Sequence, residues 1–570
     1  MIAPSLEEIL RPYAGRQRDA LLPVLWDIQT AHGYIGPDAV AAISEVLQVP
    51  AADIYGVISF YSLLSDQPTG ETVIHVCTDP SCGLAGADEI VDGLCAQLDI
   101  QPGETTPDGR FTVRRTTCLG LCEHAPAALI SERGVGMFSH APVADSAALL
   151  NNGHRPHYGV VGTDGQVFLG AIDGHRTQTL EEYSDYRALR RVVQTLTPEQ
   201  VSAEVEASGL VGRGGAGFPA GMKWRFTRQA PGQPHYVICN ADESEPGTFK
   251  DRVLMEHCPH LVLEGIALCA YAVGAQRCYL FIRGEYPEAA QRMGAAIAEA
   301  EAAGLLGESV LGTDFACHIE IRRGGGAYIC GEETALFEAI EGKRGFPRIK
   351  PPYPTTHGLF GRPTVINNVE TLSTVPAIIL NGAGWYRRWG TEKSRGTKLL
   401  SVSGHVNRPG VYEIPFGFTL RDLLDGHCQG VKGRLQAVLM GGAAGTFLAP
   451  EEIDVPLTYE SLQAIGSTLG SGAIMVFNDS VDLRDVLRRL GRFFAHESCG
   501  KCYPCQLGTQ RQMEILERLD NPLPGDRERL GDIGHTMSEA ALCGLGQTAA
   551  MAVLSAMKKW PELFEAQRAV

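Results

Sequence analysis

Four cysteines near the C-terminus, Cys499, Cys502, Cys505 and Cys543, stand in ESCGKCYPC and ALCGLGQ, a C-x2-C-x2-C run with a distant fourth member. Two-residue spacers let one tight loop aim three thiolates at three corners of a cubane, and a fourth ligand from elsewhere closes it, so the pattern points to a [4Fe-4S] cluster and to electron transfer. Four thiolates also satisfy zinc, although zinc sites more often pair two C-x2-C knuckles. A second set, Cys77 and Cys82 in HVCTDPSCGLAG with Cys118 and Cys122 in TTCLGLCEHAP, has the spacing C-x4-C…C-x3-C. It suits a flat [2Fe-2S] cluster held between two loops, with zinc again the alternative. Disulfides fit less well, because the sequence opens MIAPSLEEIL without a secretory signal. Eight further cysteines lie singly in apolar stretches and read as small buried hydrophobes. This thiol content suits a reducing compartment, and a cytoplasmic location is expected.

A third concentration of chemistry is the loop GLVGRGGAGFPAGMKW, residues 209–224. Gly212, Gly214 and Gly217 formally satisfy G-x-G-x-x-G, but the segment before them, TPEQVSAEVEASG, has helical and not strand character, so the dinucleotide fingerprint fails its context. What the glycines supply is unshielded backbone N–H groups that approach a phosphate or a flat ring closely, with Lys223 to neutralise charge. Three more segments, CNADESEPGTFKDR, RRGGGAYICGEETALFEAIEGKRG and KPPYPTTHGLFGRPTVINNVET, each gather Asn, Asp or Glu, Gly and an aromatic. One such segment is an ordinary polar loop; four in the same region indicate a site.

The elements that must position these loops follow from periodicity. PSLEEILRPY, DALLPVLWDIQTAHG and PDAVAAISEVLQV repeat apolar residues at helical spacing and predict a small bundle. From Glu71 the period changes: ETVIHVC, GRFTVRRTTC and APAALI predict strands around the helix GADEIVDGLCAQL, a thioredoxin-like unit with cysteines at strand ends. The expected architecture is multidomain α/β and α+β. Residues 1–140 carry the bundle and the thioredoxin-like [2Fe-2S] unit, and 141–180 a Gly/Asn/His-containing linker. A Rossmann-like α/β domain occupies 181–395, a glycine-rich β-grasp domain 396–480, and a helical bundle with the second cysteine set 481–570.

The 570 residues are 44% hydrophobic, enough for several domains with real cores. With 49 basic against 66 acidic residues the formal charge is −17, and no long basic cluster exists, so nucleic acid is not an expected partner. The longest apolar stretch, LVLEGIALCAYAVGA, contains Glu264 and reads as a buried helix; direct membrane insertion is not expected.

GRGGAGFPAGMKW, ADESEPGTFKDR, GAYICGEETAL, NNVET and ESCGKCYPC together resemble the NADH-binding flavoprotein subunit of respiratory complex I and its relatives. The N-terminal cysteine pattern is similar to the small two-iron subunit of that complex, here fused ahead of the flavoprotein. The two likenesses span almost the whole chain. A single chain carrying both looks most like the β (diaphorase) subunit of soluble NAD-dependent formate dehydrogenases, with the diaphorase subunit of cytosolic NAD-reducing hydrogenases, or the NADH-input module of a complex I-like enzyme, as the alternative.

The resemblance implies FMN, NAD, one [2Fe-2S] and one [4Fe-4S] cluster, and a β-grasp domain of the SLBB type. It implies that FMN is surrounded by the backbone of Gly212, Arg213 and Gly214 and by Lys223, Asn240, Asp242, Tyr328, Gly331, Glu332, Asn367, Asn368 and Thr371. NAD is expected against Phe218, Phe226, Glu245, Glu333, Lys350 and Tyr353. Two positions depart from the family: Ala220 replaces the usual Thr of GFPTG and Tyr353 the usual Phe of KPPFP. Neither removes a charge. No residue acts as a catalytic acid or base in this scheme; hydride passes directly between the stacked rings. A flavin is the component able to exchange two electrons with a nicotinamide and one with a cluster. Glu333 and Glu245 beside the dinucleotide predict NAD over NADP. The expected partner is a catalytic α subunit with a molybdenum or tungsten pterin centre and further iron–sulfur clusters. A flavin-free electron-transfer scaffold is the competing class, separable by releasing FMN with acid.

Overall fold

Apolar residues spaced for one face build four helices at the N-terminus, Leu6–Leu10, Leu21–His32, Pro37–Leu47 and Ala51–Ile58. The computed structural model describes residues 4–151, 167–172, 176–183 and 186–565. The first sheet follows, with strands β1 (Thr72–Cys77), β2 (Phe111–Thr116), β3 (Ala128–Glu132) and β4 (Gly136–His140) in the order β2-β1-β3-β4. β1 and β2 are parallel; β3 pairs antiparallel with β1 and with β4. The strand expected from Ala125 starts at Ala128, beyond Pro126, which has no N–H for a ladder. β4 adds a strand to the expected unit, because Gly136–His140 is too short for its alternation to stand out in the sequence.

Much of the expected linker, 152–166 and 173–175, lies outside the described residues. Its flanks are anchored. The helix Ser146–Asn151 meets Ala87–Leu98, where Gln97 Nε2 donates to Ser146 Oγ at 2.6 Å. The backbone N–H groups of Val167, Phe168 and Leu169 donate to the Glu413 carboxylate at 2.8, 3.0 and 3.2 Å.

The second sheet is wholly parallel: β5 (His235–Ala241), β6 (Ala275–Ile282), β7 (His318–Arg323) and β8 (Thr364–Asn368) in the order β7-β6-β5-β8. The chain runs outward through β5, β6 and β7 and then returns to the other side of β5, so β5 and β8 flank a topological switch point, where open α/β sheets form a ligand crevice beyond their strand ends. The helix Pro259–Val273, buried but for Tyr271, covers the sheet. It crosses the helix Val369–Asn381 at Gly265, where an added Cβ would lie 2.2 Å from Leu372 O. Among the described residues no single helix is long and apolar enough to cross a membrane; Lys250–His257 and Pro259–Val273 qualify only as a pair, bent by 100°.

The third sheet comprises β9 (Thr397–Gly404), β10 (Gly410–Pro415), β11 (Leu435–Met440), β12 (Thr446–Leu448) and β13 (Ala473–Asn478) in the order β10-β9-β13-β11-β12, with β9 and β13 parallel at its centre. A first hairpin, a helical crossing and a last strand inserted beside the first make this a β-grasp sheet. The helices Leu483–Glu497, Tyr503–Glu517, Asp526–Ala540, Gly544–Thr548 and Met551–Lys559 complete the chain. Their apolar faces share one continuous core with the N-terminal helices and the first sheet, and both cysteine sets contribute to it.

Candidate functional site

Strand ends build the crevice. Asn240 lies near the end of β5, and Asn367 and Asn368 end β8, with the Asn368 side chain also capping the helix Val369–Asn381 by accepting from Glu370 N at 3.0 Å. Beyond them opens a cleft of about 700 Å³, within the range of cofactor sites. The glycine loop and the helix Ala220–Gln229 contribute Gly212, Gly214, Phe218, Lys223 and Phe226 to its lining; the third motif segment contributes Gly331, Glu332 and Glu333, and the fourth Lys350 and Tyr353. Phe218, Phe226 and Tyr353 are 44%, 43% and 59% exposed, three large rings left half in solvent with faces free to stack.

The lining fits a flat, phosphorylated cofactor. Asp242 Oδ2 is buried without a hydrogen-bond partner, an expensive condition unless a ligand donor meets it. Gly331 leaves the space beside it open, since a Cβ there would approach Asp242 O to 3.3 Å. Burial pushes the Asp242 carboxyl up to about 7. Lys223 and Lys350 face Glu332 and Glu333: Lys350 Nζ lies 2.8 Å from Glu332 and 2.7 Å from Glu333, and Lys223 Nζ lies 3.8 Å from Glu333. Burial works against charge on Glu333, but the two ammonium groups outweigh it and hold the carboxyl below its usual range.

Some motif residues stand behind the lining. The Arg213 side chain turns away and donates to Tyr386 Oη at 2.8 Å and Arg395 O at 2.9 Å, while its backbone N–H donates to Thr371 Oγ1 at 2.9 Å. Thr371 therefore fixes the glycine loop and does not itself line the cleft. Tyr328 Oη donates to Glu245 at 2.5 Å, and Glu245 also accepts from Ala444 N at 2.7 Å. Glu245, expected against the dinucleotide, is thus engaged with the β-grasp loop, and burial raises its carboxyl to about 7. Ala216, Gly217, Pro354, Thr355 and Ile366 also line the cleft. Ala216 and Gly217 lie inside the glycine motif, and the other three in the fourth segment; none has a side-chain type that singles it out.

Behind Asn368 runs a buried ionic chain that the motifs did not reveal. Lys250 Nζ lies 2.7 Å from Asp251 and 3.1 Å from Glu370, Lys398 Nζ lies 2.6 Å from Glu370, and Asn368 Nδ2 donates to Asp251 at 2.6 Å. Glu370 also accepts from Leu399 N at 2.9 Å, so the chain ties the crevice to β9.

Both cysteine sets assemble. Cys499, Cys502, Cys505 and Cys543 wall one cavity with Ile329, Leu542 and Leu545. Cys502 and Cys543 are the N-caps of Tyr503–Glu517 and Gly544–Thr548, which aims two helix N-termini at an anionic occupant. Burial pushes the Cys505 and Cys543 thiols up to about 12 and about 11. In the first set Cys77 ends β1, Cys82 lies in the helix Pro80–Leu84, and Cys118 Sγ is 3.5 Å from Cys122 Sγ. All four are buried. Gly120 N donates to Cys118 Sγ at 3.4 Å and Cys118 N to Asp79 at 2.8 Å, donors and anchors suited to a thiolate-held centre. Among the described residues no three metal-binding side chains gather around a single-ion position. The other eight cysteines are buried, and Cys278 Sγ and Cys317 Sγ lie 4.0 Å apart in the core.

One carboxylate joins all three loops. Glu497, two residues before Cys499, accepts from Thr117 Oγ1 at 3.0 Å and from Tyr328 N at 2.9 Å. Arg489 on the same helix donates to Thr78 O at 2.8 Å and Asp88 at 2.7 Å, seating the first cysteine set on the terminal bundle.

Three family models match the chain: a thioredoxin-like [2Fe-2S] ferredoxin over residues 6–150, the Nuo51 FMN-binding domain over 205–377, and the NADH-ubiquinone oxidoreductase-F iron-sulfur binding region over 485–567. The F 2 subunit of the Rhizobium meliloti NADH-quinone oxidoreductase is 47% identical over 398 residues, 69% of this chain and 94% of that protein. The alpha subunit of the NAD-reducing hydrogenase HoxS of Cupriavidus necator is 36% identical over 574 residues, 98% of this chain and 93% of that one. A crystal structure of NAD+-reducing [NiFe]-hydrogenase in the H2-reduced state superposes with a TM-score of 0.86 at 35% identity, covering 97% of this chain and 93% of that chain.

Proposed function

Because this chain belongs to the family of FMN-binding, iron–sulfur NADH oxidoreductase subunits, we propose that it is the diaphorase half of a multisubunit NAD-dependent oxidoreductase whose other substrate is handled on a partner chain. The observation that carries this reading is one cleft at a strand switch point, joined through Glu497 to two four-cysteine loops. FMN, when bound in this cleft, would supply the chemistry that links two-electron hydride exchange with a nicotinamide to one-electron exchange with iron–sulfur centres. The chain's own residues do the positioning. The Gly212 and Gly214 backbone, Lys223, Asn240, Asp242, Gly331, Glu332, Asn367 and Asn368 hold the flavin nucleotide, with Tyr328, Arg213 and Thr371 fixing those loops from behind. Phe218, Phe226 and Tyr353 supply faces for the dinucleotide, and Glu333 with Lys350 supplies its polar contacts. Cys77, Cys82, Cys118 and Cys122 ligate the [2Fe-2S] cluster; Cys499, Cys502, Cys505 and Cys543 ligate the [4Fe-4S] cluster.

Two partners are in view. A formate-oxidising subunit with a molybdenum or tungsten pterin accords with the fusion of a two-iron unit and a flavoprotein in one chain. A hydrogen-activating subunit is favoured by the nearly full-length likeness to the HoxS α subunit. The native complex, isolated through a tag on this chain, decides by its metals: molybdenum or tungsten means the first, nickel the second, and neither, together with membrane subunits, a quinone-linked enzyme. A purified native chain without FMN would sink the diaphorase reading itself.

Cofactor preference follows from the Glu333 pairing. Glu333 pairs with Lys223 and Lys350; Glu333→Gln frees Lys223 for a 2′-phosphate, leaves Lys350 with Glu332 alone, and removes the like charge that opposes the phosphate. The NADH to NADPH ratio of kcat/KM should fall by about tenfold, roughly 1.4 kcal/mol. An unchanged ratio in steady-state assays would remove Glu333 from the nucleotide site.

A further inference from the structure

We infer that Arg283 is a positioning residue that sets the reduction potential of the [2Fe-2S] cluster from within the flavin domain, by placing one guanidinium across the cluster loop and the flavin loop. This rests on the ligand assignment made above for Cys118. Arg283 directly follows β6 and is 2% exposed. Its Nη2 donates to Cys118 O at 2.6 Å and its Nη1 to Glu243 O at 2.7 Å, so a single planar fork holds a cluster-ligand backbone and the Asn240–Glu245 loop together. Tyr286 completes the contact. Its ring lies under the guanidinium at 5.1 Å, its hydroxyl donates to Glu243 O at 3.2 Å, and it presses on Gly120, where an added Cβ would fall 2.1 Å from Tyr286 Oη. Gly120 has φ +65°, so glycine is required there both for backbone and for space.

The charges around this point do not cancel without Arg283. Glu285 lies 2.9 Å from its Nη2, whereas Glu243 meets Arg283 only through its backbone carbonyl. Arg252, which donates to Gly120 O at 2.9 Å, is already shared between Glu123 and Glu256. Reducing a two-iron centre by one electron adds one negative charge, with no bond made or broken. A buried cation against a ligand's carbonyl stabilises that charge, and in a low-dielectric setting the effect is large. Removing the guanidinium also strands Glu285, its ion-pair partner, which disfavours reduction further.

The test is an EPR-monitored redox titration of the complete chain with both clusters assembled. Arg283→Gln should lower the [2Fe-2S] reduction equilibrium by at least about tenfold, which is about 59 mV for one electron, while the [4Fe-4S] potential moves much less. Arg283→Lys keeps the charge with one donor and should recover most of the shift. Glu285→Gln should move the potential the other way, and the double variant Arg283→Gln/Glu285→Gln should return toward wild type. A merely structural Arg283 would give neither the opposite sign nor the rescue. If Arg283→Gln fails to assemble, Glu285→Gln and Arg283→Lys carry the test. An Arg283→Gln or Glu285→Gln centre with the wild-type potential overturns the inference. A wild-type chain lacking any two-iron EPR signal overturns the ligand assignment, and this inference with it, a result that shifted or unshifted potentials cannot imitate.

Discussion

Cys502→Ser is expected to leave NADH oxidation by ferricyanide nearly intact while partner-driven NAD reduction falls by at least about 100-fold, more than is typical for losing a group that only supports a metal ligand. Cys502 lines the four-thiol cavity and caps the helix Tyr503–Glu517, yet contributes nothing to the cleft at the β5–β8 switch point. FMN binding should therefore survive, and NADH should still bleach the flavin in a stopped-flow trace. Electrons would then have no exit through the terminal bundle. Full partner-linked turnover in this variant, with the cluster spectrum of the wild type, would place the [4Fe-4S] centre off the main path. Changing Cys82 is the informative contrast, because its segment is held through Thr78 and Asp88 by Arg489, outside the cavity of the second cysteine set.

Glu370→Ala should cost about 3–5 kcal/mol of stability, the magnitude expected when a buried ionic cluster loses one partner and keeps the others. Glu370 is fully buried, and its carboxylate serves Lys398, Lys250 and Leu399 N at once. Burial opposes its charge, but Lys398, Lys250 and Arg213 hold it ionised and below the usual carboxylate range. With the folded pKa depressed, this contribution is present above the unfolded carboxylate value and is lost as pH falls through the folded one. Wild type should accordingly show an acid-side loss of stability that Glu370→Ala lacks. Because Lys250 also contacts Asn368 at 3.3 Å, FMN retention should fall in parallel. Urea unfolding monitored by circular dichroism and by flavin fluorescence reads both, and a cost under about 1 kcal/mol would show that the cluster reorganises around the gap.

The parts legible in the sequence were those encoded locally. Cysteine spacing named both thiol sets, and alternation or helical period found β1, β2 and the buried helix Pro259–Val273. The glycine loop announced close backbone approach, and its failure as a dinucleotide fingerprint was informative: it precedes the helix Ala220–Gln229 and β5, so it enters the crevice from outside the strand order. What sequence reading missed is encoded between distant residues. Glu370, Lys250 and Lys398 come from three separate segments, and no spacing rule joins them. Arg252 closes a motif segment and Arg283 lies outside all four, and nothing in either position pointed to the Gly120 O and Cys118 O contacts that the fold makes. Glu245 is a mixed case: its motif was legible, whereas the ties of its carboxylate to Tyr328 and Ala444 were not.

The carboxylate of Glu497 also sets a timetable. Its hydrogen bond to Thr117 closes a separation of 380 residues, so the thioredoxin-like unit leaves the ribosome long before the helix that receives its loop exists. At about 5–20 residues per second the wait is roughly 20–80 s. During that interval the first cysteine loop has neither Glu497 nor Arg489 to hold it, and Arg283, 165 residues after Cys118, arrives only partway through. Insertion of iron and sulfide there competes with oxidation of bare thiols, and whatever shields the nascent domain acts before the rest of the chain has been translated.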